Sequence, residues 1–369
     1  MTKNNFSFLA LLIANFFFFL NFSQLMLLPK FIASLGLSPA DIGLIMGTFS
    51  VSVLIILPLV GLISEKMSKK IVFIFGAFLM CCATPFYAYT EDLGAYILIL
   101  RIVQGVGFSC AFGITAAMVF DIVRVSRRRY LLGILTVSNI STHAIGPAFG
   151  EYVIRAYGFD AFFFSAAAFG VIACIAGLFL PAKKAIRERR PFSLMEALPY
   201  MAATVVLGIV FGTSVIFLPP YLMTVGITDS SFFFVAFVCG SLIVWAFLYK
   251  VLRRIGERIA WVLTVVLLLC LPAGVFWMKS MIVLAGLSLF FGMGYGYLYP
   301  TLNALFIDAY PRMRGLANSI FVWSFNFGML LASVGFGSMS DALGYARAFL
   351  VSGLLGLTLV FLVLKLKED

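Results

Sequence analysis

Charged residues are scarce in this chain. They make up 11% of its 369 residues, with 15 acidic residues and a single histidine, His143, whereas soluble domains carry about a quarter charged residues. The six cysteines show neither a disulfide framework nor metal-ligand spacing. A polytopic membrane enzyme would need a nucleophile, a metal cluster or paired carboxylates, and one histidine with scattered acids supplies none of these. We therefore expect no enzyme, no cofactor and no metal.

Apolar residues dominate instead, at 63% of the chain. A hydrocarbon core roughly 30 Å thick needs about 20 apolar residues per helix, and the pattern predicts an all-α membrane protein with twelve transmembrane helices. The predicted spans are 6–29, 42–63, 71–89, 94–120, 130–154, 160–181, 196–224, 229–252, 259–278, 281–308, 314–340 and 346–365. The first span is too long for the apolar core of a signal peptide, so we expect it to be retained.

Basic residues are distributed unevenly between the predicted loops. Most of the 26 Lys and Arg residues fall in alternate gaps, while the opposite gaps contribute only Lys30, Arg155, Lys279 and Arg347. The positive-inside rule then predicts that both termini and the central loop are cytoplasmic. Because the basic residues border membrane helices, the net charge of +11 reflects topology, and we expect no nucleic-acid partner.

The sequence repeats itself at an offset of about half its length. The recurring positions are Gly36 and Gly226; Gly105, Gly107 and Asp121 with Gly292, Gly294 and Asp308; and Gly158 with Gly344. An even number of helices per half makes such a repeat parallel, and substrate sites in that arrangement lie near the midplane between the halves. The sequence therefore predicts two pseudo-symmetric six-helix bundles, 1–181 and 196–369, joined by a cytoplasmic linker, 182–195.

Arg101 is the basic residue that lies deepest within a predicted span, whereas the others that fall inside a span lie within two residues of its end. Arg101 lies one turn before Gln104 in the segment RIVQGVG. A central Arg costs about 2.5–3.5 kcal/mol on insertion scales, so we expect its side chain to face a cavity or a partner. The alternative is an Arg near the helix end that snorkels to the interface. The equivalent position in the second half is Ser288, so symmetric packing does not require the charge.

The RxxQGxG pattern, the segment GLISEKMSKK after the second helix and the repeated halves resemble the major facilitator superfamily of secondary transporters, over essentially the whole chain. In that family the loop after helix 2 acts as a cytoplasmic gate. The resemblance assigns this role to Gly61, Glu65, Lys66, Lys69 and Lys70, with Glu65 in place of an Asp and Ser68 in place of the second Gly. The alternative is an ordinary basic loop.

Predicted helix 5 ends in THAIGPAFGE, which resembles the antiporter signature of the drug:proton exporters in this superfamily. Gly146, Pro147 and Gly150 match, while Thr142 and Glu151 replace the outer glycines. Proline has no N–H, so the helix can bend there. The resemblance implies antiport, and the alternative is a generic Gly/Pro kink of the kind that membrane helices tolerate.

His143 lies one turn after Asn139, and its ordinary pKa near 6.5 would let it carry a proton. The alternative is a hydrogen-bonded packing residue. In the resembled family, helices 1, 4, 7 and 10 surround the cavity. The resemblance therefore implies that Asn21, Gln24, Thr213 and Asn303 contact the solute. The alternative is that these side chains form hydrogen bonds between helices.

Exporters of cationic drugs in this superfamily commonly use a buried acid. No acid lies mid-membrane in helices 1, 4, 7 and 10, so the resemblance disfavours cationic drugs, although Glu151 or Asp41 could line a vestibule. Arg101 favours an anionic, zwitterionic or neutral polar solute.

The resemblance implies a secondary transporter that moves a small solute by alternating access, and we expect efflux coupled to protons. Two alternatives stay open. The first is an importer, either a symporter or a uniporter, of a small polar or anionic metabolite. The second is a non-transporting sensor with a transporter-like fold. We expect a monomer in the cell inner membrane, whose partners are the lipid bilayer, the solute and protons.

Overall fold

The computed structural model describes residues 3–123, 127–182, 194–278, 280–310 and 313–366. Helices account for almost all of these residues, and no strand occurs among them. The helices are α1 (Lys3–Gln24, a 3-10 turn Leu25–Leu27, and Leu28–Ser34), α2 (Pro39–Lys66), α3 (Lys69–Ala83, continued by a 3-10 stretch Thr84–Tyr89), α4 (Ala95–Ile122), α5 and α6 (together Arg128–Gly177), α7 (Leu194–Thr224), α8 (Ser231–Ile243, a π turn Val244–Leu248, and Tyr249–Arg254), α9 (Glu257–Gly274 and a 3-10 turn Val275–Trp277), α10 (Met281–Ala309), α11 (Arg314–Leu331, a π turn Ala332–Phe336, and Gly337–Leu343) and α12 (Tyr345–Gly356 and Thr358–Lys365).

Eleven helical stretches in the described part of the chain are long and apolar enough to cross a membrane. One of them, Tyr130–Gly177, has 48 residues, more than twice what a single crossing needs. Gly158 breaks it, with φ 82° and ψ −179°, into α5 (128–157) and α6 (159–177). The all-α fold with twelve membrane helices that the sequence predicts is therefore confirmed.

The backbone repeats where the sequence repeats. Gly158 separates α5 from α6, and its counterpart Gly344, with φ 79°, separates α11 from α12. Gly36 and Gly226 follow α1 and α7 with φ 78° and 79°. Only glycine adopts this left-handed region without a steric cost, so each pair marks the same sharp turn in the two halves.

Helix packing follows the same repeat. In the first half α1 packs on α5 and α6, and α3 on α4; in the second, α7 packs on α11, and α9 on α10. A Cβ at Gly107 of α4 would lie 2.7 Å from the carbonyl oxygen of Gly76 on α3. A Cβ at Gly294 of α10 would lie 2.5 Å from the carbonyl oxygen of Thr264 on α9. Glycine at this recurring position thus lets equivalent helices touch backbone to backbone.

The described helices divide into two compact units. One comprises Met1–Leu28 with Val51–Arg189, and the other comprises Pro29–Ser50 with Arg190–Asp369. Buried aromatic residues fill both, such as Phe18 and Phe73 in the first and Phe237 and Phe291 in the second. The predicted bundle limits at 181 and 196 stay a prediction, because residues 183–193 of the linker lie outside the described residues.

The segment Pro29–Ser50 joins the second unit through α2 and the end of α1. Gly43 lies directly against the backbone carbonyl of Ser333, in the π turn of α11. The backbone N–H of Ala40 donates to Asp341 Oδ2 at 3.2 Å, and Lys30 Nζ donates to the carbonyl oxygen of Thr228. The first two contacts hold the amino-terminal half of α2 against α11, and the third holds the end of α1 against the connection between α7 and α8.

Candidate functional site

A buried hydrogen-bond network surrounds Gln104 in the first unit. Arg101 Nη1 donates to Gln104 Oε1 at 3.0 Å, and the Tyr87 hydroxyl donates to the same oxygen at 2.8 Å. Gln104 Nε2 in turn donates to Thr84 Oγ1 at 3.3 Å. The Arg101 side chain is only 5% exposed. The structure thus brings the two predicted residues of α4 together and surrounds them with polar groups from α3.

Tyr87 belongs to this network although the sequence did not single it out. It is fully buried in the 3-10 stretch that continues α3, and its ring stacks on Phe163 of α6 with centroids 5.5 Å apart. Pro85 lies at the start of this stretch, and a proline next to Thr84 was the one local signal that α3 changes geometry there.

Asn21 and Gln24 of α1 both face α6. Asn21 Nδ2 donates to the carbonyl oxygen of Ala166 at 2.7 Å, and Gln24 Nε2 donates to the carbonyl oxygen of Phe162 at 3.2 Å and to Ser165 Oγ at 2.7 Å. These are bonds between helices. That the two side chains also contact a solute stays a prediction.

His143 lies between α1 and α5. Its Nδ1 is 3.1 Å from the carbonyl oxygen of Asn139 and 3.3 Å from Ser23 Oγ, and the Asn15 amide donates to the Asn139 side chain. Because a carbonyl oxygen only accepts, Nδ1 carries the hydrogen in the bond to Asn139, which leaves Nε2 as the basic nitrogen. The ring is half-buried. That His143 carries a proton stays a prediction.

The glycine–proline segment of α5 packs on α1 next to this histidine. A Cβ at Gly146 would lie 2.8 Å from the backbone nitrogen of Gln24, and one at Gly150 would lie 2.9 Å from Leu27 Cδ1. The contact falls where α1 changes from α-helix to the 3-10 turn Leu25–Leu27. Pro147 lies between the two glycines. Because the glycines have no side chain, α5 comes close to the 3-10 turn of α1 at this place.

The segment after α2 contains one ion pair in the described part of the chain. Lys69 Nζ lies 2.7 Å from Asp121 Oδ2, with side chains 7% and 24% exposed, so the start of α3 is tied to the end of α4. Lys70 Nζ donates to the carbonyl oxygen of Leu178. Ser68 begins α3 as its N-cap.

Three further predicted gate residues, Gly61, Glu65 and Lys66, belong to the last turns of α2. Gly61 and Lys66 are exposed, and the Glu65 side chain lies outside the described residues. The gate role assigned to this segment stays a prediction.

The two candidates of the second half lie in separate contacts. Thr213 Oγ1 of α7 is 3.0 Å from Ser352 Oγ of α12. Asn303 Nδ2 of α10 donates to Asn318 Oδ1 of α11 at 3.0 Å. Both join neighbouring helices, and the structure does not bring them into one cluster.

The sequence matches the family model described as Major Facilitator Superfamily over residues 10–313. Among curated proteins, the multidrug resistance protein MdtL of Shewanella oneidensis is 25% identical over 147 residues, which cover 39% of this chain and 36% of MdtL. The quinolone resistance protein NorA of Staphylococcus aureus is 25% identical over 153 residues, which cover 42% of this chain and 39% of NorA. The alignments thus span less than half the length of these relatives.

Solved structures resemble the fold over its full length. The nucleoside transporter NupG superposes with a TM-score of 0.79 and 13% identity, covering 100% of both chains. The human organic anion transporter MFSD10 superposes with a TM-score of 0.73 and 15% identity, covering 98% of this chain and 100% of the other. At such identities the likeness concerns the fold alone.

Proposed function

The chain belongs to the Major Facilitator Superfamily, and we propose that it exports a small solute from the cell in exchange for protons. Its family and fold make it a multi-pass membrane transporter rather than an enzyme. We further propose that it acts as a monomer in the cell inner membrane with both termini in the cytoplasm, which the placement of its basic residues supports.

The contact between α5 and α1 carries the proposal of antiport. Gly146 and Gly150 place α5 directly on the 3-10 turn of α1, and Pro147, which has no N–H, cannot donate the helical hydrogen bond to the carbonyl of His143. A helix pair with close contact and a weakened turn can change its bend at low cost. The names of MdtL and NorA, resistance proteins both, support export as the direction.

His143 is the proposed proton carrier. Its Nδ1 hydrogen is held by the Asn139 carbonyl, so protonation takes place at Nε2 and produces a cation next to α1. A charge in this apolar surrounding is costly, and the cost can be relieved by rearranging the contact between α1 and α5. The alternative role, packing alone, predicts no effect of His143 on coupling.

The experiment is solute uptake into sealed proteoliposomes containing the purified protein, with a fluoroquinolone as the first solute. A vesicle with an acidic lumen drives an antiporter to accumulate solute, whichever way the protein is inserted. For one proton per solute, each pH unit supports at most about tenfold accumulation. Uptake that instead requires an acidic exterior, for the fluoroquinolone or for uridine, would contradict antiport and indicate an importer.

The variant His143→Gln tests the coupling group in the same assay. We expect gradient-driven accumulation to fall to about the external concentration, while exchange of labelled for unlabelled solute continues, because only the proton-binding nitrogen has been removed. Ser141→Ala is the control. Ser141 lies on the same helix and, among the described residues, its hydroxyl donates only to the carbonyl oxygen of Val137 on α5. Normal gradient-driven accumulation by His143→Gln would contradict the proposed role of His143 as the proton carrier.

A further inference from the structure

Two tyrosines one turn apart on α10 form an aromatic stack in the second unit. The rings of Tyr295 and Tyr299 are 5.3 Å apart at 30°. Tyr295 also stacks on Phe211 of α7, with centroids 4.5 Å apart, and Tyr299 meets Phe325 of α11 edge to face at 5.1 Å. Phe237 of α8 lies 5.5 Å from Tyr295. Because three other helices contribute rings, the stack faces the interior of the unit and not lipid.

Among the described residues, no hydrogen bond engages the hydroxyl groups of the two tyrosines. Both side chains are half-buried, and in the described part of the chain neither phenol oxygen has a hydrogen-bond partner. Neither oxygen is among the fully buried polar atoms that lack a partner, so each opens onto space that the described protein leaves unfilled. A tyrosine set among apolar rings normally finds a partner for its hydroxyl.

The first half of the chain contains the same stack without hydroxyls. Phe108 and Phe112 of α4 lie 187 residues before Tyr295 and Tyr299, the offset at which the neighbouring glycines recur. Their rings are stacked 5.1 Å apart at 17°, and Phe22 of α1 lies 4.7 Å from Phe108. Phenylalanine therefore suffices for the packing at this place in the repeat. The hydroxyls in the second half need another explanation.

We propose that Tyr295 and Tyr299 form a binding subsite for flat aromatic solutes that carry a hydrogen-bond acceptor, a proposal that rests on the transport function above and names its substrate class. The aromatic ring of the solute contacts the ring faces and edges of the stack, an arrangement with favourable geometry for π systems. The phenol hydroxyls donate to the acceptor of the solute. Such a site, largely apolar with a few polar groups at fixed positions, has the usual composition of a small-molecule pocket.

The subsite makes two separate demands on its ligand. Stacking requires a flat ring, and the hydroxyls require an acceptor. The probe is therefore 4-quinolone, a flat bicyclic ring with one carbonyl acceptor. Its control is decahydro-4-quinolone, which keeps the carbonyl but has lost the flat ring. Equilibrium dialysis against the full-length protein in detergent measures both affinities without any gradient.

We expect 4-quinolone to bind more tightly than decahydro-4-quinolone. Tyr295→Phe and Tyr299→Phe should each weaken 4-quinolone binding by about 3- to 10-fold if the solute bonds that hydroxyl, the range for one hydrogen bond, and the double variant at least as much. Phe at these positions reproduces Phe108 and Phe112, so the fold is retained. Tyr297→Phe, where the ring packs on Trp261 of α9 at 5.7 Å, is the control and should bind as the wild type does.

Wild-type affinity in the double variant Tyr295→Phe/Tyr299→Phe would overturn the subsite, and so would equal binding of the flat and saturated probes or no binding of either. The outcome is separable from that of the transport assay. A protein that binds 4-quinolone through the tyrosines but shows no proton-driven uptake would keep the subsite and lose the antiport proposal. Proton-driven uptake in a protein whose 4-quinolone binding does not depend on the tyrosines would keep the antiport proposal and overturn the subsite.

Discussion

At the residue scale, the first unit contains a buried charged side chain that is hydrogen-bonded to a polar neighbour. Arg101, Gln104 and Tyr87 are buried and mutually hydrogen-bonded. Removing one member of such a network leaves the others buried without their partner, which costs more than the bond itself contributed. The central residue is Gln104, because it accepts from two side chains and donates to a third.

Gln104→Leu should lower the free energy of unfolding by about 2–4 kcal/mol, since the donors of Arg101 and Tyr87 lose their acceptor inside an apolar environment. Gln104→Glu, which keeps an acceptor for both donors, should cost less. Midpoints of thermal inactivation in one detergent rank the variants. Equal midpoints for Gln104→Leu and the wild type would mean that the network contributes little to stability.

At the element scale, α10 contains a proline whose effect is offset by a neighbouring helix. Pro300 cannot donate to the carbonyl of Gly296, four residues earlier. Trp245 Nε1 of α8 donates to that same carbonyl oxygen at 2.7 Å, and Trp245 lies in the π turn Val244–Leu248. The extra residue of a π turn shifts side chains around the helix, and here it places the indole against α10.

Trp245→Phe should therefore destabilise the protein by about 1 kcal/mol. The same change should cost less in a Pro300→Ala background, because the backbone N–H of residue 300 can then donate to the carbonyl oxygen of Gly296. A double-mutant cycle on the inactivation midpoints measures this coupling, expected at about 0.5–1 kcal/mol. Trp277→Phe is the control, because Trp277 is 71% exposed at the end of α9. Additive effects of Trp245→Phe and Pro300→Ala would refute the link between indole and proline.

At the scale of the whole molecule, the repeat and the placement of charge predict the topology. Turns at Gly158 and Gly344 are geometrically equivalent, and the ion pair of Lys69 with Asp121 lies on the side that the positive-inside rule assigns to the cytoplasm. The uneven distribution of basic residues between the loops predicts the orientation in the membrane. Reporter fusions can test this orientation.

Green fluorescent protein fused after residue 366 should fluoresce, because the carboxyl terminus is expected in the cytoplasm, where this reporter folds. Alkaline phosphatase fused after Asp92, between α3 and α4, should be active in a host with a periplasm, because that enzyme needs export to mature. Fusion after Ser68 is the matched control and should be inactive. The opposite pattern would contradict the predicted topology and, with it, the cytoplasmic placement of the predicted gate.

The sequence by itself determined the twelve helices and the internal repeat with its recurring glycines, which the structure shows at turns with positive φ. These are local properties: an apolar run of about 20 residues spans a bilayer, and glycine is selected wherever the chain turns with positive φ. It also singled out Arg101 with Gln104 and His143 with Asn139, since residues three or four apart on a helix share a face.

Only the tertiary structure decided which helices meet those faces. It joined Tyr87 to Gln104, directed Asn21 and Gln24 towards α6, and placed Trp245 on Gly296. In a soluble protein the apolar side of a helix marks the core. In a membrane, lipid is as apolar as the interior, so the sequence alone does not reveal which face is inward, and contacts between distant helices emerge only when they pack.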